Sequence, residues 1–409
     1  ECQSAGNRPL DPSFHGFSGP LSVTDNPACH PLCDAFITAA DQAGIPKNPD
    51  FNGQDQLGAG YFQINVKNGI RADTATAFLA KVRNRKNLTI ITEAIVSKLN
   101  IENARAKSVS YIIDGETKRA AAKREIVLAA GAINSPQILQ LSGIGDPDHL
   151  ASVGVKPVHS LLGVGRNLQD HLQVQLSYHC AQPISLNDEF GSILGKTRQF
   201  LRYVLQRKGP IAGGPAPTGA FAHSSDSLAS DLQFHFMPMS LSAPGVLDTD
   251  SGFTISVNQS RPHSRGDVRI SSADPLAAPD VRPNYLEHPL DQDVLLKGVK
   301  LARKIASAPA FLALVESETR PGSQVQSDDE LLNFVRSRAS SIYHPVGTCQ
   351  MGKDENAVVD SELNVHGISG LRVADASIMP TITSGNSNAP TIMIAEKAAD
   401  LIKGAAIAC

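Results

Sequence analysis

Arg124-Glu-Ile-Val-Leu-Ala-Ala-Gly131, running straight into Ala132-Ile-Asn-Ser-Pro-Gln-Ile-Leu-Gln-Leu-Ser-Gly143, is the stretch on which the fold turns. Its first half is an unbroken apolar run closed by glycine, the pattern of a parallel-sheet strand buried on both faces. Its second half reads as a helix. Asn134 or Ser135 can cap it, Pro136 suits its first turn, Ile138, Leu139 and Leu141 supply a buried face, and Gly143 stops it. Strand, glycine turn and helix in this order predict an α/β unit.

Upstream, the spacing predicts an apolar β-type run over 87–100 (Leu88, Ile90, Ile91, Ile95, Val96) and a second strand over 108–113, together a short antiparallel sheet. The first 69 residues are rich in Gly, Pro, Asn and Asp and carry one helical pattern, 30–42, closed by Gly44 and Pro46. Downstream, from about 173 to 340, the pattern changes to strands over 231–237, 254–257 and 267–270 with longer helices. The helix over 290–307 places Val294, Gly298, Leu301, Ala302 and Ile305 on one face and ends at Pro309. This region reads as a second domain. The C-terminal part resumes the pattern of the first domain, with a strand over 371–374, Asp375, a turn-rich stretch and a helix over 391–403.

With 409 residues the chain is enzyme-sized, and a formal charge of -3 with both signs scattered leaves no electrostatic footprint for wrapping nucleic acid or an anionic membrane. A small or uncharged partner fits better. No apolar run is long enough to span a bilayer, and the opening Glu-Cys-Gln-Ser is not a secretory signal. The expectation is a soluble protein, cytoplasmic or membrane-peripheral rather than secreted. Six cysteines are too sparse for a disulfide scaffold, and Cys29-His30 with Cys33 lacks a second ligand pair at zinc spacing, so no metal is expected. Glycosylation triplets at Asn87 and Asn258 are of the kind that arise by chance.

Five ordered motifs remain: Gly131 to Gly145, Gly163-Val-Gly-Arg-Asn-Leu-Gln-Asp170-His171, Tyr343-His344-Pro345-Val-Gly-Thr-Cys-Gln-Met351-Gly352, Leu371-Arg-Val-Ala-Asp375-Ala-Ser-Ile-Met-Pro380, and Ser384-Gly-Asn386-Ser-Asn388-Ala-Pro390. Together they closely resemble the glucose-methanol-choline (GMC) oxidoreductases, nearest the choline dehydrogenase branch. The resemblance implies a split, Rossmann-like FAD domain, a substrate domain with a mixed or antiparallel sheet, and oxidation of a small-molecule alcohol to a carbonyl. On that reading residues 1–85 bridge the two domains, 86–172 and 343–409 belong to the FAD domain, and 173–342 form the substrate domain. The electron acceptor, whether quinone, dye-type carrier or oxygen, is left open.

Removing hydride from an alcohol carbon is hard until the hydroxyl proton is leaving, so the site needs a base. Histidine, neutral near physiological pH, can accept that proton, and the resemblance places such a residue at His344. Alone, His344 would be an ordinary histidine before proline; Gly347, Thr348, Met351 and Gly352 in family register change that reading. Asn386 matches the second catalytic position. An amide cannot act as a base, so its work there is to hold the substrate oxygen.

Asn388, Ala389 and Pro390 open the last helix, whose positive end would face the flavin. The resemblance also implies FAD contacts at Val96 (adenine), Ala130 and Gly131 (adenine and ribose), and Asp375 with Ala376 (pyrophosphate). Asp170 and His171 are expected to support the site without touching substrate. Gly163-Val-Gly165 is not a dinucleotide fingerprint, since the third glycine is absent. Family members open on a strand, a Gly-x-Gly-x-x-Gly turn and a helix, and residue 1 aligns beyond that unit. The expectation is a truncated chain that binds FAD weakly or not at all and exposes a sheet edge, to be refuted by stoichiometric flavin after refolding. Two alternatives stand beside alcohol oxidation: a cyanohydrin lyase on the same fold, and a noncatalytic remnant.

Overall fold

Alternating polar and apolar side chains build the central sheet of the first of two units, made of Glu1–Leu88, Leu172–Ser260 and Pro289–Ser340. The computed structural model describes residues 2–5, 10–225, 230–243 and 245–407. The sheet strands run in the order Val315–Arg320, Leu172–Cys180, Gly252–Gln259, Leu232–Met237, Thr218–Ala222, Gly58–Tyr61, each antiparallel to its neighbour. One face, with Val174, Leu176, Phe234, Phe236, Phe253, Ile255 and Val257, is fully buried. Phe36 of helix Pro31–Gln42 stacks on Phe236 at 4.8 Å, and Phe253 on Phe311 at 5.0 Å. Helix Pro289–Ala306 lies so close to the sheet that a Cβ on Gly298 would stand 2.8 Å from the Val257 side chain.

The helix at 31–42 forms as expected, with His30 as its cap: the ring Nδ1 accepts the Leu32 N–H at 3.2 Å. The helix at 289–306 forms too, but its buried stripe is Leu295, Gly298, Val299, Ala302 and Ile305. Val294 and Leu301, expected inward, are only half-buried. Asn258 is wholly buried in its strand, so the folded chain does not present that triplet for glycosylation.

The second unit comprises Thr89–His171, Arg261–His288 and Ser341–Cys409. Strand Ile126–Leu128 pairs in parallel with Leu371–Val373, and Ile95–Glu102, Arg105–Ile113 and Glu116–Ala121 form an antiparallel sheet. Helix Gly131–Leu141 is tied to the latter by the Leu99 N–H, which donates to Ser142 Oγ at 2.8 Å. Three local expectations are corrected here. Within 87–100 the strand begins only at Ile95, while Ile90 and Ile91 are about half exposed in irregular chain. The strand at 126–128 is not buried on both faces: the two-residue period turns Ile126 and Leu128 inward and leaves Val127 40 % exposed.

The third correction concerns the helix start. It begins at Gly131, so neither Asn134 nor Ser135 caps it and Pro136 lies inside it. A proline there cannot donate to the carbonyl four residues back, that of Ala132. The Thr348 hydroxyl donates to that carbonyl instead, at 2.6 Å. Ser135 Oγ is drawn off to Asp375 Oδ2 at 2.5 Å and accepts the Ala130 N–H at 3.0 Å.

The motif at 163–171 has a packing explanation. A Cβ on Gly163 would stand 1.9 Å from the Asn356 carbonyl oxygen. Two backbones meet there, and neither can swing aside. Gly163→Ala is therefore expected to destabilise the fold by about 3 kcal/mol. Gly154→Ala is the comparison, since Gly154 at φ +80° has no neighbour near a Cβ and carries only the left-handed backbone cost of about 1 kcal/mol. Thermal melts of the two variants read the difference; equal shifts would reject the close-approach argument.

Candidate active site

Two short segments of the second unit converge on His344. Gln169 and Val346 exchange backbone hydrogen bonds at 3.0 and 2.9 Å, and the Ile342 N–H donates to the His171 carbonyl at 3.1 Å. Between these ties the chain kinks at Tyr343, whose φ of +63° is rare for a bulky residue. Its side chain is 87 % exposed, so packing does not hold the kink. Hydrogen bonds do. The Tyr343 N–H donates to Ser341 Oγ at 2.8 Å, and the His344 N–H donates to Asp170 Oδ1 at 2.8 Å.

Asp170 is buried and accepts from four sides. Besides His344, the His171 N–H reaches Oδ1 at 2.9 Å, the Tyr285 hydroxyl reaches Oδ2 at 2.5 Å, and the Ser341 hydroxyl also donates to Oδ2. Burial first, and then the Asp170 charge, push the Tyr285 phenol well above its ordinary range, so it remains a protonated donor. A buried carboxylate with this many donors is a fixed charge as well as a fixed strut.

The His344 ring lies between two partners. Asn386 Nδ2 donates to His344 Nε2 at 3.3 Å, and His344 Nδ1 stands 3.0 Å from His171 Nδ1, with the rings edge-on at 83°. An amide nitrogen only donates, so Nε2 must carry the lone pair. The proton of the neutral ring is then on Nδ1, donated to His171. Burial lowers the His344 pKa below the ordinary 6.5, and the Asp170 charge opposes that shift without reversing it. The ring is thus neutral at physiological pH, with its basic nitrogen beside Asn386.

The remaining expected positions, all in the same unit, are two groups and the single residue Val96. Asp375, at the end of strand Leu371–Val373, accepts the Gly131 N–H on Oδ2 at 2.9 Å and the Ser377 N–H on Oδ1 at 2.8 Å. It therefore brings Ala130, Gly131 and Ala376 to one end of the parallel pair, although its own carboxylate is spent on the protein. Asn388, Ala389 and Pro390 form the first turn of helix Asn388–Ile407, two to four residues past Asn386, with Asn388 and Ala389 exposed. Val96 pairs with Tyr111 in the antiparallel sheet and is half-buried.

These positions fit a dinucleotide cofactor. Gly131 adopts φ +83° with nothing within 4 Å of where a Cβ would point, and Ala129, Ala130 and Val127 beside it are exposed. An open, side-chain-free turn at a strand end admits close approach by a ligand. Tyr285 and Ser341 stand outside every motif and carry no sequence signal of their own. Asp170 and His171 lie within a motif, but only the structure reveals their reach to His344.

Comparison with known proteins follows the same lines. The chain matches the GMC oxidoreductase family models over residues 2–173 and 262–395. It is 42 % identical over 395 residues to the oxygen-dependent choline dehydrogenase of Chromohalobacter salexigens, covering 96 % of this chain and 71 % of that protein. It is 41 % identical over 401 residues to an alcohol dehydrogenase [acceptor] of Pseudomonas putida, covering 97 % and 73 %. Among solved structures, an FAD-dependent oxidoreductase from Chaetomium thermophilum aligns with a TM-score of 0.89 at 25 % identity, over 98 % of this chain and 78 % of that one.

Proposed function

We propose, from the premise that this chain belongs to the GMC oxidoreductase family, that His344 is the base and Asn386 the oxygen-holding residue of an FAD-dependent alcohol oxidoreductase. FAD is the cofactor, and the donor is a CH–OH group. The proposed substrate is a small primary alcohol, choline-like or aliphatic. The observation that carries the residue roles is the lone pair of His344 Nε2 held 3.3 Å from the Asn386 amide.

In this reading the substrate hydroxyl displaces or joins the amide at Nε2 and gives up its proton there. Asn386 donates to the substrate oxygen, holding it while charge builds on it. His171 accepts from Nδ1 and so keeps the ring in the productive tautomer; Asp170 fixes both backbones. When bound, FAD supplies the acceptor for the two electrons that leave the carbon. Gly131, Ala130, Ala376 and Val96 would hold its adenosine and pyrophosphate portions. The turn at Asn388, Ala389 and Pro390 would present the positive end of a long helix to its ring.

Mixing the FAD-loaded protein anaerobically with a panel of primary alcohols tests the reading. Flavin absorbance near 450 nm should bleach in stoichiometric yield with aldehyde. The relatives give the lyase alternative no support, and a lyase would leave the flavin oxidised throughout. A protein whose flavin stays oxidised with every alcohol, and that instead releases aldehyde and cyanide from an added cyanohydrin, would reject alcohol oxidation.

A further inference from the structure

Helix Ile193–Gln206 turns its apolar stripe outward. Ile193 is 86 % exposed, Leu194 80 %, Phe200 58 %, Leu201 49 %, Val204 45 % and Leu205 77 %, while polar Gln199 is buried against the protein with its amide on Glu189. At 100° per residue the six apolar side chains share one arc of about 140°. A helix packed on a water-soluble body normally shows the reverse orientation. The surface continues past the helix end. Gly69 packs on the Arg207 backbone, where an added Cβ would stand 2.7 Å from its carbonyl oxygen, and neighbouring Ile70 is 56 % exposed.

Charge says what covers this face. No Asp or Glu occurs between Glu189 and Asp226, whereas Lys196, Arg198, Arg202, Arg207 and Lys208 do. Lys196 borders the apolar arc on one side and Arg198, which also reaches Glu189 at 3.1 Å, on the other, both exposed. Lys67 and Arg71 flank Ile70 in the adjacent hairpin. A second copy seated on this face would set these cations against their own duplicates, which is unfavourable. An anionic bilayer surface instead meets the cations with phosphates and takes the apolar stripe into its acyl boundary, while long basic stems reach back to the headgroups. None of the helices among the described residues is long and apolar enough to cross a membrane, so the contact is in-plane.

We propose that helix Ile193–Gln206, with the Lys67 to Arg71 hairpin beside it, docks this protein on an anionic lipid membrane. None of these residues takes part in the chemistry proposed above, so the two readings stand or fall separately. The test is co-sedimentation of the purified chain with vesicles of phosphatidylcholine alone or with about one-third phosphatidylglycerol, at low and high salt. Binding to the anionic vesicles should exceed binding to neutral ones at least about tenfold and weaken with salt. The double variants Leu194→Ser/Leu205→Ser and Lys196→Glu/Arg202→Glu should each lower it by about tenfold or more, with little change in thermal midpoint because every altered side chain is exposed. Equal recovery with both vesicle types, or variants that bind like the parent, would overturn the proposal. So would a concentration-dependent dimer that dissociates in Leu194→Ser/Leu205→Ser while lipid binding is absent.

Discussion

His344→Ala is expected to lower kcat by about 10³-fold, the range that positioned acid–base catalysis contributes. The loss should sit in the chemical step, because the ring takes the hydroxyl proton and does not hold the cofactor in this reading. Flavin content should therefore match that of the parent protein, and anaerobic bleaching by substrate should become slow without losing amplitude. The pH profile gives a second readout. Only the unprotonated ring can accept a proton, so kcat/KM of the parent rises with pH through the His344 pKa, and burial places that limb below 6.5. The limb should vanish in His344→Ala. A variant that oxidises alcohols at the parent rate, with the same acid limb, would remove His344 from the chemistry.

The same burial has a consequence for stability. Unfolded His344 takes a proton near its ordinary 6.5, whereas the folded ring resists until a lower pH. The unfolded state therefore binds more protons in that interval, and stability declines as pH falls below 6.5 until the folded ring also titrates. His30, whose pKa is also lowered by burial, adds to the decline in the same direction.

What the sequence discloses follows from how local each determinant is. The helix at 31–42 is legible because proline, glycine and an apolar stripe all act within one segment. Family membership, cofactor and reaction class are legible because five motifs keep their order across most of the chain. Boundaries fail where a distant group decides them. Ser135 looks like a helix cap, but Asp375, 240 residues away, claims its hydroxyl. Pro136 looks like a helix start, but Thr348, 216 residues from Ala132, repairs the carbonyl it orphans and lets the helix begin at Gly131. Val127 reads as core because its apolar neighbours hide the two-residue alternation. In the candidate site, the motifs nominate His344 and Asn386, which the fold brings within 3.3 Å, while the coupling of Asp170 to Tyr285 and Ser341 depends on chain returns of 115 and 171 residues.

That coupling makes Asp170→Asn the second large prediction. Asparagine can keep an acceptor toward the His344 and His171 N–H groups, but it turns an amide N–H toward the hydroxyls of Tyr285 and Ser341, which then lose their acceptor. Ser341 Oγ in turn receives the Tyr343 N–H, so the left-handed kink that aims His344 loses its brace. Misplacing the ring by even about 1 Å is expected to cost about 10²-fold in kcat. Loss of the Asp170 charge also removes the influence that holds the His344 pKa up against burial, so the acid limb should move to lower pH. A fold defect alone would not move that limb. The kink supplies the decisive arm: glycine occupies φ near +63° without the steric cost of tyrosine, about 1–2 kcal/mol, so adding Tyr343→Gly to Asp170→Asn should regain part of the lost rate while leaving the limb displaced. If Asp170→Asn keeps the parent kcat and acid limb, the carboxylate neither braces the turn nor sets the charge at the base.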